Sequence, residues 1–200
     1  MKRTSLLAIS AALAAALLPL AAAGQTAPPA RVSAPKYEAF GGLAYTSLNQ
    51  VNQSRYGLMG FRGAITRDWG KYFGLTGMGD YYKWPAGSGT GINANPGNPS
   101  VYSFMVAPGV NLKLADKWSA GVYGELGIEH TGGEQMIPNI SFAGGFGAQV
   151  TYDLNRRWAI RTMGERVLAS FSLRNNSNQL SNSTHMTSNT RGFIGLVYRF

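Results

Sequence analysis

The residues best suited to chemistry are two histidines and the carboxyl and hydroxyl groups near them. His130 directly follows Glu129. With a hydroxyl from Ser141 or Ser170, this pair would supply the nucleophile, the base and the orienting acid of a hydrolase. His185 is the second histidine, and both histidines fall in segments predicted to be loops. Because any loop histidine near a serine offers the same combination, we interpret these residues as solvated loop residues and predict no catalytic residues.

Other kinds of site find little support in the sequence. The chain contains no cysteine, which excludes disulfides, thiolate catalysis and cysteine-ligated metals. The glycine-rich segment 87–97 lacks the Lys-Ser/Thr ending and the strand-to-helix context of a phosphate-binding loop, and we interpret it as a flexible loop. We therefore expect no cofactor and no metal ion.

The elements that would position any site are strands, because apolar residues alternate along the chain with period two and no helical period is present. Short breaks lie around 68–70, 115–117 and 155–157, and longer, Gly-, Asn-, Ser- and Pro-rich breaks span 48–54, 84–100, 130–140 and 172–189. Short turns on one side and long loops on the other are typical of an all-β, eight-stranded antiparallel up-and-down transmembrane β-barrel. The predicted strands are 37–47, 55–67, 72–83, 101–113, 118–129, 141–153, 158–171 and 190–200.

The two faces of these strands separate a membrane barrel from a soluble β-sandwich, which alternates in the same way. One face is consistently apolar, as at Phe142, Phe146 and Val150. The opposite face is rich in Gly and Ala, whereas the water-facing side of a sandwich would carry many Lys, Glu and Thr. Small residues on the second face fit a narrow, crowded lumen. No second apolar run after the leader approaches the ~20 residues of a spanning helix.

The charged residues within strands should point into this lumen, since Arg or Lys at the lipid midplane costs roughly 2–4 kcal/mol. Buried opposite charges should pair, and we predict that Arg62 and Arg161 pair with Glu125, Glu165 and Asp80. Lys83 and Arg166 fall on the lipid-facing side, near strand ends where long side chains can reach the head groups. The full predicted lumen charge network is Arg62, Asp80, Glu125, Glu129, Arg161 and Glu165.

Aromatic residues recur at the short-turn end of the predicted strands. Trp69, Trp118 and Trp158 each lie at or just after a short turn, which predicts a periplasmic aromatic girdle. Three core tryptophans of a sandwich would be the alternative. In the last predicted strand, Ile194, Leu196, Tyr198 and Phe200 share one apolar face. This pattern resembles the C-terminal signature of bacterial outer-membrane β-barrels, which the assembly machinery reads.

The first 36 residues predict export. Lys2 and Arg3, an apolar run over 6–20 and three alanines at 21–23 form a signal peptide over 1–23, with an uncleaved membrane helix as the alternative. Residues 24–36 contain three prolines and few large apolar side chains, so we predict a disordered periplasmic lead before the barrel at 37–200. Without Lys2 and Arg3, sixteen basic residues face nine acidic ones. This balance fits acidic lipid head groups, and no nucleic-acid motif accompanies it.

Together these features resemble the small outer-membrane barrel family that includes the outer-membrane protein A transmembrane domain and the opacity-type surface proteins. The opening segment 36–45, K-Y-E-A-F-G-G-L-A-Y, is similar to the first strand of that family. The resemblance implies the outer membrane of a Gram-negative cell, a plugged or very narrow lumen, and loops 48–54, 84–100, 130–140 and 172–189 facing outward.

The same resemblance guides the expected role and partners. We expect a structural or surface-interaction barrel whose loops contact molecules outside the cell, and we expect that it is not an enzyme. A narrow channel for small solutes is the alternative, and an outer-leaflet lipid A-modifying enzyme is the remote one. Expected partners are outer-membrane lipids including lipopolysaccharide and, during biogenesis, the barrel-assembly machinery. We expect a monomer that binds no nucleic acid.

Overall fold

A computed structural model describes residues 37–49, 55–86, 99–133, 139–171 and 185–200. The predicted signal peptide and periplasmic lead lie outside the described residues. The described residues form eight strands, at the positions where alternation predicted them. The strands are β1 (Tyr37–Asn49), β2 (Arg55–Trp69), β3 (Phe73–Pro85), β4 (Pro99–Lys113), β5 (Trp118–Gly133), β6 (Asn139–Asp153), β7 (Trp158–Phe171) and β8 (His185–Arg199).

The strands close into a single barrel. Each strand pairs antiparallel with the next one in sequence, and β8 pairs with β1. The predicted fold is therefore confirmed. Because a closed sheet has no edge, each strand finds its backbone partners within the barrel. Among the described residues, no helix is long and apolar enough to cross a membrane.

Several strands extend further into the long-loop end than predicted. β5 continues to Gly133, so the interpretation of His130 as a loop residue was wrong. β8 begins at His185, which was also assigned to a loop. The physical reason is that alternation is imposed only where one face meets hydrocarbon. Beyond that depth a strand can be polar on both faces, and its sequence then resembles a loop.

The short connections fall at one end of the barrel. The β2–β3 turn places Gly70 at φ 69°, a backbone conformation that glycine adopts without steric cost. In the β7 entry turn, the Asn155 side-chain oxygen accepts hydrogen bonds from the backbone N–H groups of Arg157 and Trp158, both 2.9 Å. The positive φ of Gly70 and the hydrogen bonds to Asn155 stabilise tight turns at the end that was predicted to be periplasmic.

The strands tilt, and this tilt determines the height of each residue along the barrel axis. A path that starts at Phe73 and steps from each residue to its cross-strand partner passes once around the barrel and returns to β3 at Trp84, eleven residues further along the strand. The register shifts at Met59/Gly60, where Lys83 has no cross-strand partner on β2. At the ~35–45° tilt of such a barrel, each residue along a strand climbs about 2.4 Å. Residues that share the inner face can therefore lie at very different heights.

The orientation of the barrel can be tested because the chain has no native cysteine. We expect Ser88→Cys, in the connection between β3 and β4, to react with a membrane-impermeant maleimide on intact cells. Asp116→Cys, in a short turn, should react only after the outer membrane is permeabilised. Labelling is read by gel shift of the tagged chain. Reaction of Asp116→Cys alone on intact cells would reverse the assigned orientation.

Candidate functional site in the barrel lumen

The lumen is lined with buried ionisable side chains, while the outer wall carries exposed apolar ones. Phe104 and Phe146 are each 67 % exposed on the outer face, where a soluble protein would bury them. The inner face has the opposite character. Eight of its charged residues are at most 8 % exposed, and they are Glu38, Arg62, Asp80, Glu125, Glu129, Arg161, Glu165 and Arg191.

Arg62 is the centre of an upper cluster that joins opposite walls of the barrel. Its Nε and Nη2 donate to the two Asp80 oxygens at 2.5 and 2.7 Å. Its Nη1 and Nη2 also donate to the Glu165 carboxylate at 2.8 and 2.7 Å. The guanidinium carbon lies 3.4 Å from the centre of the Phe193 ring. Arg62 therefore makes two bidentate contacts with carboxylates and one contact with an aromatic ring, which together use most of the interactions available to a guanidinium group.

Arg191 completes the upper cluster and was not predicted to take part. Its guanidinium hydrogen bonds to Glu129 and lies 3.5 Å from Asp80 and 3.9 Å from Glu165. The alternation of β8 already places Arg191 opposite the outward residues Ile194, Leu196 and Tyr198, so its inward direction was visible in the sequence. Its partners were not, because they depend on heights set by the register.

Hydroxyl groups supply further hydrogen bonds to the same carboxylates. Ser103 donates to Asp80 at 2.9 Å and Tyr123 donates to Glu165 at 3.0 Å. Glu125 differs from its neighbours. It is 1 % exposed, and neither of its carboxylate oxygens has a hydrogen-bond partner among the described residues. The structure therefore brings Arg62, Asp80 and Glu165 together as predicted but does not bond Glu125 to an arginine.

Arg161 belongs to a second, lower cluster, which corrects its predicted pairing with Glu125 and Glu165. It hydrogen bonds to Glu38, and its Nε donates to Thr151 at 2.9 Å. Arg199 joins the same cluster, contacting Glu38 at 2.7 Å and Asp153 at 2.8 Å. The reason is height: Arg161 precedes Glu165 by four residues, about 10 Å along the axis at barrel tilt.

A small cavity separates the two clusters. It has a volume of about 20 Å³ and is lined by Arg62 above, Arg161 below and both polar and apolar side chains between them. Among these, Gln149 donates to Asn111 at 2.6 Å. A cavity of this size holds about one water molecule. Within the described part of the barrel, side chains therefore fill most of the lumen at this level.

The hydrolase arrangement drawn from the sequence is not formed. His130 points to the outer face, with its ring 5.6 Å from that of Tyr102, while Glu129 points into the lumen toward Arg191. Adjacent strand residues face opposite sides, so the barrel wall separates base from acid. Ser141 pairs with Glu129 across β5 and β6, again inside. The side chains of Ser170 and His185 lie outside the described residues. No group of three or more His, Asp or Glu within the described ranges could hold a metal ion.

The predicted girdle tryptophans lie together at the short-turn end of the outer face. Trp69, Trp118 and Trp158 are 41, 48 and 42 % exposed. Each contacts a second aromatic ring, at 5.9 Å for Phe73, 4.8 Å for Tyr152 and 4.9 Å for Tyr198. The residues predicted to form the assembly signal also face outward from β8 and its end, and they are Ile194, Leu196, Tyr198 and Phe200.

A second aromatic belt, near the long-loop end, was not predicted. The Tyr81 and Tyr102 rings stack at 5.0 Å, and Trp84 makes edge contacts with Phe61 and Tyr81 at 5.4 and 5.7 Å. Trp84 directly precedes a proline-containing break, which made it look like a loop residue. Two aromatic belts on one outer face are what the two interfaces of a bilayer require.

Comparison with known proteins agrees with this geometry. A family model described as the outer membrane protein beta-barrel domain matches residues 10–200. The chain belongs to this family. As an outer-membrane β-barrel of Gram-negative type it resides in the cell outer membrane. No curated protein matches it.

Solved structures of other outer-membrane proteins share its fold. Neisserial surface protein A is 10 % identical, with a TM-score of 0.63, over 84 % of this barrel chain and 99 % of that protein. Ail, the attachment invasion locus protein of Yersinia pestis, is 15 % identical, with a TM-score of 0.52, over 84 % and 100 % of the two chains. At these identities the likeness concerns the fold alone.

Proposed function

We propose that this outer-membrane barrel has a structural and surface-interaction role, with a closed lumen and no catalytic activity. The observation that carries the proposal is the pair of arginine–carboxylate clusters inside the barrel. Arg62 alone connects β2, β3 and β7 through four hydrogen bonds to carboxylates. Such contacts hold opposite walls together and leave little room for solute passage.

The surface part of the proposal rests on the outward connections and on the names of similar structures. The connections at the end opposite the tryptophan girdle are long and polar in sequence, while the strands between them form a rigid scaffold. Neisserial surface protein A and the attachment invasion locus protein have the same fold and are named for roles at the cell surface. The proposed partners are lipopolysaccharide and, during biogenesis, the barrel-assembly machinery. The proposed oligomeric state is a monomer.

A narrow channel is the second candidate, and Glu125 is the observation that favours it. Its carboxyl group has no hydrogen-bond partner among the described residues, and polar side chains such as Asn111 and Gln149 contribute to the lining of the cavity below the upper cluster. A permeating cation would meet both features.

Planar-bilayer recording separates the two candidates. We expect the purified barrel to give no steady unitary current, because the lumen is filled at the level of Arg62. Steady currents that disappear in both Glu125→Ala and Arg161→Ala would contradict the closed lumen and establish the channel. A known outer-membrane porin reconstituted in the same bilayers serves as the positive control.

A further inference from the structure

The outer wall has a groove that the lumen clusters do not use. It has a volume of about 750 Å³ and crosses β4 to β8 obliquely. Its floor lies at outward positions with minimal side chains, Gly124, Ala148 and Gly164, and Val122 and Phe146 flank it. An added Cβ at Gly164 would meet nothing within 4 Å, so the floor is open to the surrounding lipid.

Arg166 closes the outer end of this groove. It is exposed on the lipid-facing side of β7, and its Nε donates to the Ser188 hydroxyl at 2.5 Å. Ser188 pairs with Leu168, whereas Arg166 pairs with Thr190, so the arginine side chain is turned toward the long-loop end. Within the described ranges no ion pair is recorded for Arg166, in contrast to Arg62, Arg161, Arg191 and Arg199.

The height of Arg166 makes this free charge significant. Arg166 follows Trp158 of the girdle by eight residues, about 20 Å along the axis of a tilted strand. The apolar band of such barrels is about 25 Å tall. The arginine backbone therefore lies inside the outer half of this band, and its guanidinium reaches upward to the level of lipid head groups.

We propose that this groove binds one molecule of a phosphorylated, multiply acylated glycolipid of the outer leaflet, of the lipid A type. One acyl chain would lie along Gly164, Ala148 and Gly124, and a phosphate would pair with Arg166. The planar guanidinium matches phosphate in a bidentate way, and the Ser188 hydroxyl orients it. The glycolipid is favoured because Arg166 points to the outer leaflet, where this lipid is the main phosphate carrier. This inference rests on the part of the proposed function that names lipopolysaccharide as a partner, and it does not depend on whether the lumen is closed, because the groove lies on the outer wall.

Native mass spectrometry of the purified barrel tests the proposal with three probes: bisphosphorylated lipid A, the same lipid after removal of both phosphates, and phosphatidylglycerol. We expect one lipid A molecule to remain bound. We expect Arg166→Gln to weaken its apparent affinity about tenfold, the typical effect of losing one charge-assisted contact. Lys83→Gln is the matched control, because it removes another exposed cation near the outer end but away from the groove.

A second pair of variants tests the apolar part. Gly164→Leu should fill the groove and reduce lipid A binding, whereas Gly63→Leu should not. Both glycines face outward and have nothing within 4 Å of an added Cβ, but Gly63 lies on β2, outside the groove. The shift in gel mobility on boiling verifies that each variant is folded. If Gly164→Leu does not fold, Arg166→Gln decides alone.

Four outcomes would overturn the proposal. These are no retained lipid A, equal losses in Arg166→Gln and Lys83→Gln, equal binding of the dephosphorylated lipid, and equal binding of phosphatidylglycerol. The last would mean that any acidic phospholipid occupies the groove.

Discussion

Gly195→Ala is expected to destabilise the closed barrel strongly at the junction of β1 and β8. Gly195 pairs with Gly42 across β8 and β1, and the two backbones approach closely there. An added Cβ at Gly195 would lie 2.3 Å from the Gly41 carbonyl oxygen and 2.5 Å from the Gly42 Cα. Both neighbours are backbone atoms, so the strands themselves must separate. We expect a loss on the order of 3 kcal/mol, the upper range for overpacking, because ladder hydrogen bonds are lost too.

The measurement is the urea midpoint of folding into lipid vesicles, followed by tryptophan fluorescence and by gel mobility before and after boiling. Gly192→Ala is the matched control. It lies on the same strand, yet an added Cβ there would meet nothing within 4 Å, and we expect almost no change. Equal behaviour of the two variants would show that the β1–β8 junction does not require the close approach.

Arg62→Ala is expected to be the most destabilising change in the lumen. It leaves Asp80 and Glu165 buried with only the longer contacts to Arg191, at 3.5 and 3.9 Å, as ion pairs. Removing one partner of a buried ion pair typically costs about 3–5 kcal/mol, because the remaining charge is left uncompensated. The same vesicle titration measures the effect.

Glu125→Gln is the contrasting variant. It removes a buried carboxylate whose oxygens have no hydrogen-bond partner among the described residues. We therefore expect stability to stay the same or to rise. A triple variant, Arg62→Met with Asp80→Asn and Glu165→Gln, should recover much of the loss, since it removes the charges together. If Arg62→Ala and Glu125→Gln cost the same, the upper cluster does not contribute through its ion pairs.

The sequence predicted faces well and heights poorly. Period-two alternation placed Arg62, Asp80 and Glu165 on the inner face, and these three are in contact. The same alternation placed Arg161 there, but it pairs with Glu38 in the lower cluster. Face depends only on the parity of a residue within its strand. Height depends on the register of all eight strands, which no single strand reveals.

Irregularities were also out of reach from the sequence. The register shift opposite Met59 and Gly60 leaves Lys83 without a cross-strand partner, so both Lys83 and Trp84 are exposed. A strict alternation cannot produce two consecutive outward residues. Because alternation ends before Trp84, this residue was assigned to a loop, and the aromatic belt near the long-loop end was not predicted.

The meeting of Tyr37 and Phe200 has a consequence for engineering. Their backbones exchange two hydrogen bonds, at 3.3 and 3.0 Å, and their rings stack at 5.9 Å. A brief linker could therefore join these positions, and new chain ends could be opened in the tight turn at 114–117. Such a circular permutant would keep all eight pairs of neighbouring strands while changing the order in which the strands are synthesised. It would allow the effect of translation order on membrane insertion to be measured separately from the stability of the folded barrel.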